Sequence, residues 1–313
     1  MKKELFPVFA FLLGSVCSAI AADLPEQTQS VSSFPNVSIS GGIGWLHGEA
    51  GELVYGTTGE KVSQLDWKIN APIFKLDISI DAFDWLSVSA RGWTALKTGN
   101  STMDNRDWWY SNTGVSYWWS HFGDTDLNYA NQYELNAKGW LLKQENYKLG
   151  VLFGYQESRF SWTASGGIYN YANGTIIGSF QEGLLGYGYK QKFMAPFIGL
   201  AGQYKYQNFE VSALLKYSAW ARAEDLDQHY RRQITFIDKS SGQDFFSAEL
   251  NLGYYFTPNL KVFAEGTWTL YDEVRAGATA IFHNTGVVEY YPENAAGIEN
   301  KHFTITAGLQ YNF

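Results

Sequence analysis

Cysteine is almost missing from this sequence, with one residue, Cys17, in 313. A disulfide-held fold is therefore excluded, as are paired-cysteine metal sites. Proline is scarce at 7 residues, which rules out a collagen-like or Pro-rich chain. Basic residues number 23 against 31 acidic ones, for a formal charge of −8. A nucleic-acid partner needs clustered Lys and Arg to release counterions, so none is expected. The five histidines (47, 121, 229, 283 and 302) form no HExxH pattern, and neither GxSxG nor a phosphate loop occurs. No metal, cofactor or serine-nucleophile elbow is predicted. After the first twenty residues no apolar run reaches the length of a membrane helix, so any membrane residence must use strands.

That first segment has a purpose of its own. Lys2 and Lys3 precede an apolar run from Leu5 to Ile20, and Ala19-Ile20-Ala21 supplies the small residues of a cleavage site. Residues 1–21 read as a removed secretory signal. Cys17 falls inside it, which leaves residues 22–313 as one cysteine-free domain.

What the chain has in excess is aromatic: 12 Trp, 21 Tyr and 21 Phe, at a mean hydropathy of only −0.24. The period of the pattern explains the combination. Phe303, Ile305, Ala307, Leu309, Tyr311 and Phe313 alternate with His302, Thr304, Thr306, Gly308, Gln310 and Asn312. The same alternation recurs in Phe209–Tyr217 and Phe246–Phe256. Segments of this kind lie near 37–56, 61–80, 85–97, 125–142, 147–165, 185–204, 209–224, 234–256, 260–275 and 297–313. Tight turns at Asp81–Asp84, Gln144–Asn146, Tyr206–Asn208 and Thr257–Asn259 alternate with long connections. Short turns on one side and long loops on the other predict an all-β, ten-stranded antiparallel transmembrane barrel of the outer-membrane type, with aromatic girdles at the headgroups. Trp108, Trp109, Trp118 and Trp119 fall in the connection 98–124, read as a long loop beyond the membrane.

Candidates for chemistry gather in the long connections. In YSAWARAEDLDQHY at 217–230, Asp227 and His229 are two apart and share a face of a strand, so the carboxylate can orient the imidazole as a general base. A plain solvated loop is the competing reading. Asp104 and Asp107 in MDNRDWW offer carboxylates opposite. Ser120 and His121 are adjacent and face opposite ways on a strand, which argues against a serine nucleophile. The alternation Phe209–Tyr217, if continued, puts Asp225, Asp227 and His229 outside the barrel. A bulge near Ala221–Glu224 is therefore required, whereas Glu52, Met103 and Asp107 fall on inward positions.

Taken together, the segments KVSQLDWK (61–68), LNYANQYELNAKGWLL (127–142), GYQESRF (154–160), GYKQKF (188–193), YSAWARAEDLDQHY, GYYFTPN (253–259) and AAGIEN (295–300) resemble the omptin family of outer-membrane proteases. The resemblance covers essentially the whole chain after the signal. It implies an endopeptidase in the Gram-negative outer membrane, a monomer, that cleaves peptides or proteins at basic, often dibasic, sites. In the family a His–Asp pair and a facing Asp pair activate water. The first pair falls on His229 and Asp227, and the second Asp of the facing pair on Asp107.

Two departures stand out. Asn105 occupies the position of the first facing Asp, and Asp104, one residue earlier, needs a local bulge to replace it. Trp118 occupies a further acidic position. The acids under the cleavage site match Glu52 and Asp225, with Met103 among the substrate-binding positions. Lipopolysaccharide, on which omptins depend, is expected on an outer wall carrying Tyr155, Glu157, Arg159 and Lys192, with Ser241 at a position that is basic in the family. Asn105 also keeps open a second reading, a catalytically weakened barrel acting as a surface adhesin. A porin is disfavoured, since ten strands leave an interior that side chains largely fill.

Overall fold

The computed structural model describes residues 36–97, 99, 101–112 and 114–313. The expected signal 1–21, with Cys17, lies outside these residues, as does the expected start of the barrel domain at residue 22. The strands, in chain order, are β1 (Asn36–Tyr55), β2 (Lys61–Phe83), β3 (Leu86–Ala95), β4 (Ser101–Ser111), β5 (Gly114–Lys143), β6 (Tyr147–Ser165), β7 (Ile168–Tyr171), β8 (Ile176–Ser179), β9 (Leu185–Tyr206), β10 (Phe209–His229), β11 (Ile234–Tyr255), β12 (Leu260–Phe282), β13 (Val287–Tyr290) and β14 (Ala296–Asn312).

These strands close a single antiparallel ring, because β1 pairs with β2 on one side and β14 on the other. β3 and β4 fill one position in turn, both lying between β2 and β5. β7, β8 and β13 belong to loops, so the ring has ten strand positions. Glycines permit the seam, since a Cβ at Gly44 would overlap the carbonyl oxygen of Ile305 and one at Gly308 that of Gly41.

Every one of the ten expected segments is a strand, and three extend five or more residues further than their alternation reached. β5 begins at Gly114, β10 runs on to His229 and β12 to Phe282. The stretch 98–124 is not a loop. It contains β4 and the first part of β5, paired from Ser101↔Thr125 to Ser111↔Gly114 as a hairpin rising above the ring. Aromatic residues on both faces of that hairpin hide its period of two.

The outer surface bears an exposed apolar belt: Ile43, Leu76, Leu135, Phe153, Leu200, Leu215, Leu250 and Ile305 are examples. On a folded chain such a belt meets lipid. A bilayer needs strands of only about 9–11 residues. β2 has 23 and β5 has 30, so the barrel stands well clear of the membrane on the long-loop side.

At membrane level the lumen is filled with matched charges. Arg91 Nη1 is 2.7 Å from Glu249 and its Nε 3.1 Å from Glu134, while Lys216 Nζ is 2.6 Å from Glu134. Lys75 pairs with Glu265, and Lys261 lies 2.7 Å from Glu210. The void lined by Lys75, Arg91, Trp93, Gln132 and Glu249 measures only about 10 Å³, roughly the room one water needs. That packing leaves no pore there.

Candidate active site

Above this plug a stacked aromatic layer floors the upper lumen. Trp67 and Tyr189 stack at 5.2 Å, Tyr189 and Trp162 at 5.8 Å, and Phe160 and Trp162 at 5.9 Å. Trp67, Trp162 and Tyr189 are all fully buried. Gln191 ties the layer to the walls, with its Nε2 donating to the carbonyls of Gly51 and Glu299.

β10 delivers the imidazole by changing phase. Up to Ser218 its even residues face inward; from Ala221 its odd residues do. Pairing with β9 jumps from Tyr217↔Ile198 to Arg222↔Met194, which leaves one extra residue on β10. The Ser218 hydroxyl accepts from the amide of Trp220 at 3.0 Å, satisfying a backbone group at the irregularity. The bulge required by the sequence exists, centred on 218–221, slightly earlier than the 221–224 expected. β11 answers with an extra residue of its own around Gly242, at φ 77°. β10 and β11 therefore flip together, and Asp225 lies directly opposite Asp238.

His229 Nε2 is 2.5 Å from Asp227 Oδ2. Its ring packs edge-on against Tyr187 and Phe236, with centroids at 4.7 and 5.3 Å. Its other nitrogen, Nδ1, lies 3.4 Å from Arg232 Nη1. A guanidinium can only donate, so Nδ1 is the acceptor and the ring proton sits on Nε2 toward Asp227. That tautomer presents a basic nitrogen to the groove.

Asp107, on β4, faces this dyad. Ser63 Oγ donates to its Oδ1 at 2.6 Å and Asn105 Nδ2 to its Oδ2 at 3.2 Å. Burial raises Asp107 above the usual carboxylate range, while the bonds from Ser63 and Asn105 and the nearby charges of His229 and Arg232 pull it down. Asn105 points inward beside Asp107, in unbroken register with Leu65. Asp104 does not substitute for it. No bulge occurs between Asp104 and Asp107 on the β2 side, and Asp104 turns to the opposite face, where it meets His121 Nδ1 at 3.0 Å.

Beneath the dyad lies a group of buried acids. Glu52 from β1 and Asp225 from β10, both anticipated, meet Asp227 and one residue that was not, Asp238 from β11. Tyr189 Oη donates to Asp225 Oδ2 at 2.9 Å. One oxygen of each of Glu52, Asp225, Asp227 and Asp238 is buried without a hydrogen-bond partner. Burial, then mutual repulsion, holds Glu52 and Asp225 well above the usual range. The same causes push Asp238 up to about 7. Met103 faces inward as expected but is fully buried at the register of Trp67, level with the floor. Trp118 stacks on Tyr171 at 4.6 Å, joining the β4–β5 hairpin to the β7–β8 hairpin.

Sequence reasoning missed Asp238, Ser63 and Tyr187. Ser63 was within reach, since it lies in KVSQLDWK one strand from Asp107. Asp238 was hidden by two compensating bulges that no alternation pattern reveals.

On the outer wall Tyr155, Glu157, Arg159 and Lys192 do converge. Arg159 Nε bonds Glu157 Oε1 at 2.5 Å, Tyr155 Oη bonds Oε2 at 3.1 Å, and Lys192 Nζ is 3.6 Å from Oε1. Tyr133 Oη accepts from Arg159 at 3.3 Å.

The chain's relatives agree with this architecture. The Omptin family model matches residues 33–313. The plasminogen activator of Yersinia pestis is 47% identical over 310 residues, covering 96% of this chain and 99% of that protein. Protease 7 of Escherichia coli strain K12 is 43% identical over 316 residues, covering 97% and 99%. The crystal structure of the outer membrane protease OmpT from Escherichia coli superimposes with a TM-score of 0.86 at 41% identity, covering 92% of this chain and all of that one. A closed ten-position barrel with a lipid-facing belt, matched from end to end by such proteins, belongs to the omptin family of outer-membrane β-barrel proteases.

Proposed function

We propose that this protein is an endopeptidase that cuts peptides at basic, often dibasic, sites by attack of an activated water. One observation carries the reading: the His229–Asp227 pair and the doubly hydrogen-bonded Asp107 face each other above buried acids that lack a cation. A water that takes the place of Arg232 on His229 Nδ1 and is held by Asp107 attacks the carbonyl carbon of the scissile amide. One water proton passes to Nδ1, and Asp227 steadies the imidazolium that forms. The proton then moves to the amide nitrogen as the C–N bond breaks, and the amine leaves.

Asn105 fixes the role of its neighbour. Two adjacent carboxylates tend to share a proton, because like charges at short range do not both ionise. With an amide there instead, Asp107 is a lone acceptor that orients the second water hydrogen. Glu52 and Asp225 receive the basic side chain of the substrate, and the acidic groove draws cationic peptides toward it.

Lipopolysaccharide on the Tyr155–Glu157–Arg159–Lys192 wall completes the reading, with Arg159 and Lys192 offering cations to phosphate. β6 and β9 carry that wall outside and Phe160, Trp162 and Tyr189 inside. Ordering the wall therefore tightens the groove floor, and activity should need the lipid.

A quenched peptide containing Arg-Arg, offered with lipopolysaccharide, tests the whole. Wild type should cut it and His229→Ala should not. If both leave it intact while Asn105→Asp cuts, the chain is a binding barrel, the second reading that Asn105 supports. If neither wild type nor Asn105→Asp cuts any peptide, the groove assignment is wrong.

A further inference from the structure

Asp238 is the least expected member of the acidic group, and its surroundings define what it can do. It faces Asp225 and Asp227 on β10 and Glu52 on β1, and Tyr189 on β9 reaches the same group through Asp225. On β12 its register partner is Ala278. His229 touches the set through its bond to Asp227. None of Glu52, Asp225 and Asp238 is ion-paired with Lys or Arg among the described residues, and Asp238 is 4% exposed with Oδ1 unpartnered.

Like charges directly opposite on neighbouring strands repel, and a buried charge without a partner is costly. Two arrangements relieve this group. Either the carboxyls hold protons, or a cation from outside enters among them.

We propose that Asp238 forms, with Glu52 and Asp225, a three-carboxyl receptor in which a basic side chain of the substrate replaces bound protons, so that binding releases protons to solvent. This rests on the basic-site reading of the groove. The chemistry fits a guanidinium or ammonium: each carboxyl has an oxygen free to accept, and the Trp67–Tyr189 stack below offers aromatic faces to a cation. Asp238 is here a specificity-determining residue that touches the substrate side chain, apart from the water chemistry at His229.

The sign of the pH effect follows from linkage. In the free protein the carboxyls keep protons to unusually high pH, Asp238 to about 7. A bound cation favours their ionised forms, so affinity rises with pH over the range in which the free carboxyls still hold protons. The slope is up to about tenfold per pH unit for each proton released.

A matched pair of peptides isolates the charge, one with Arg at the cleavage position and one with its neutral isostere citrulline. The ratio of their kcat/KM values on one enzyme cancels the titration of His229. In lipopolysaccharide micelles this ratio should climb from pH 5 to pH 7 for wild type. In Asp238→Asn it should fall severalfold at pH 7 and lose most of its slope, carried in KM with kcat retained. Asp244→Asn, an exposed change on the same strand, should match wild type. Calorimetry with an N-methylated, uncleavable Arg peptide in two buffers of different ionisation heat counts the released protons without turnover. Fewer should appear with Asp238→Asn. An Asp238→Asn protein with the wild-type ratio, slope and proton count overturns the proposal. A wild type that treats Arg and citrulline alike overturns the basic-site reading itself.

Discussion

Two levels of one lumen bury acidic side chains, and they treat them in opposite ways. At membrane level Glu134 is shared by Arg91 and Lys216, Glu210 by Lys261 and Lys205, and Glu265 holds Lys75. Above the aromatic floor Glu52, Asp225 and Asp238 have orphan oxygens and, among the described residues, no ion pair with Lys or Arg. Both sets are inward-facing residues of the same kind of strand, so the difference is in the partners. Matched charges lock a structure. Unmatched ones store a preference for something not yet bound.

The contrast breaks most sharply at the dyad. His229→Ala should lower kcat on the order of 10³-fold, the usual worth of a positioned general base, with the barrel fold retained although buried Asp227 loses its partner. Peptide assay and circular dichroism on the same sample check both halves. Glu134→Gln should do the reverse. It strands the fully buried Lys216, and removing one member of a buried pair typically costs about 3–5 kcal/mol. Denaturant unfolding reads that loss, while cleavage per folded molecule should hold.

Glu52→Gln sharpens the comparison with a change of sign. The folded-state pKa of Glu52 is raised, so its contribution to stability is present at acid pH and lost as pH rises through the raised value. The variant should therefore unfold at higher temperature than wild type at pH 8 and lose that advantage near pH 4. Its cleavage of Arg peptides should fall about tenfold, in line with loss of one charge-assisted bond. Ser63→Ala, the mildest, removes the 2.6 Å bond to Asp107. It should reduce kcat severalfold and move the acid limb of the pH profile upward, because Asp107 loses a bond that favours its ionised form.

Much of this was legible from the chain alone, for identifiable reasons. β14 is readable because its two faces differ in kind, apolar from Phe303 to Tyr311 and polar or small from His302 to Gln310. The dyad was readable because Asp227 and His229 are two apart. The β4–β5 hairpin was not, since a two-sided extension such as Asp107–Trp108–Trp109 opposite Trp118–Tyr117–Ser116 carries no binary pattern. Asp238 was not, because its meeting with Asp225 depends on cross-strand register past two bulges, and alternation reads one strand at a time. Asp104 needed a local bulge to replace Asn105, and only the pairing of β2 with β4, unbroken at that point, shows that there is none.

The bulge at Ser218–Ala221 makes β10 behave like a message with a reading frame. Upstream, every second residue addresses lipid; downstream the same count addresses the groove. Deleting Ala219 alone changes composition by one methyl-bearing residue, yet it would turn Asp225, Asp227 and His229 toward the outer wall and Leu226 and Gln228 inward. What β10 contributes to this site is therefore specified by residue count as much as by residue identity, and segments on either side of the bulge can be exchanged as blocks only if that count is kept.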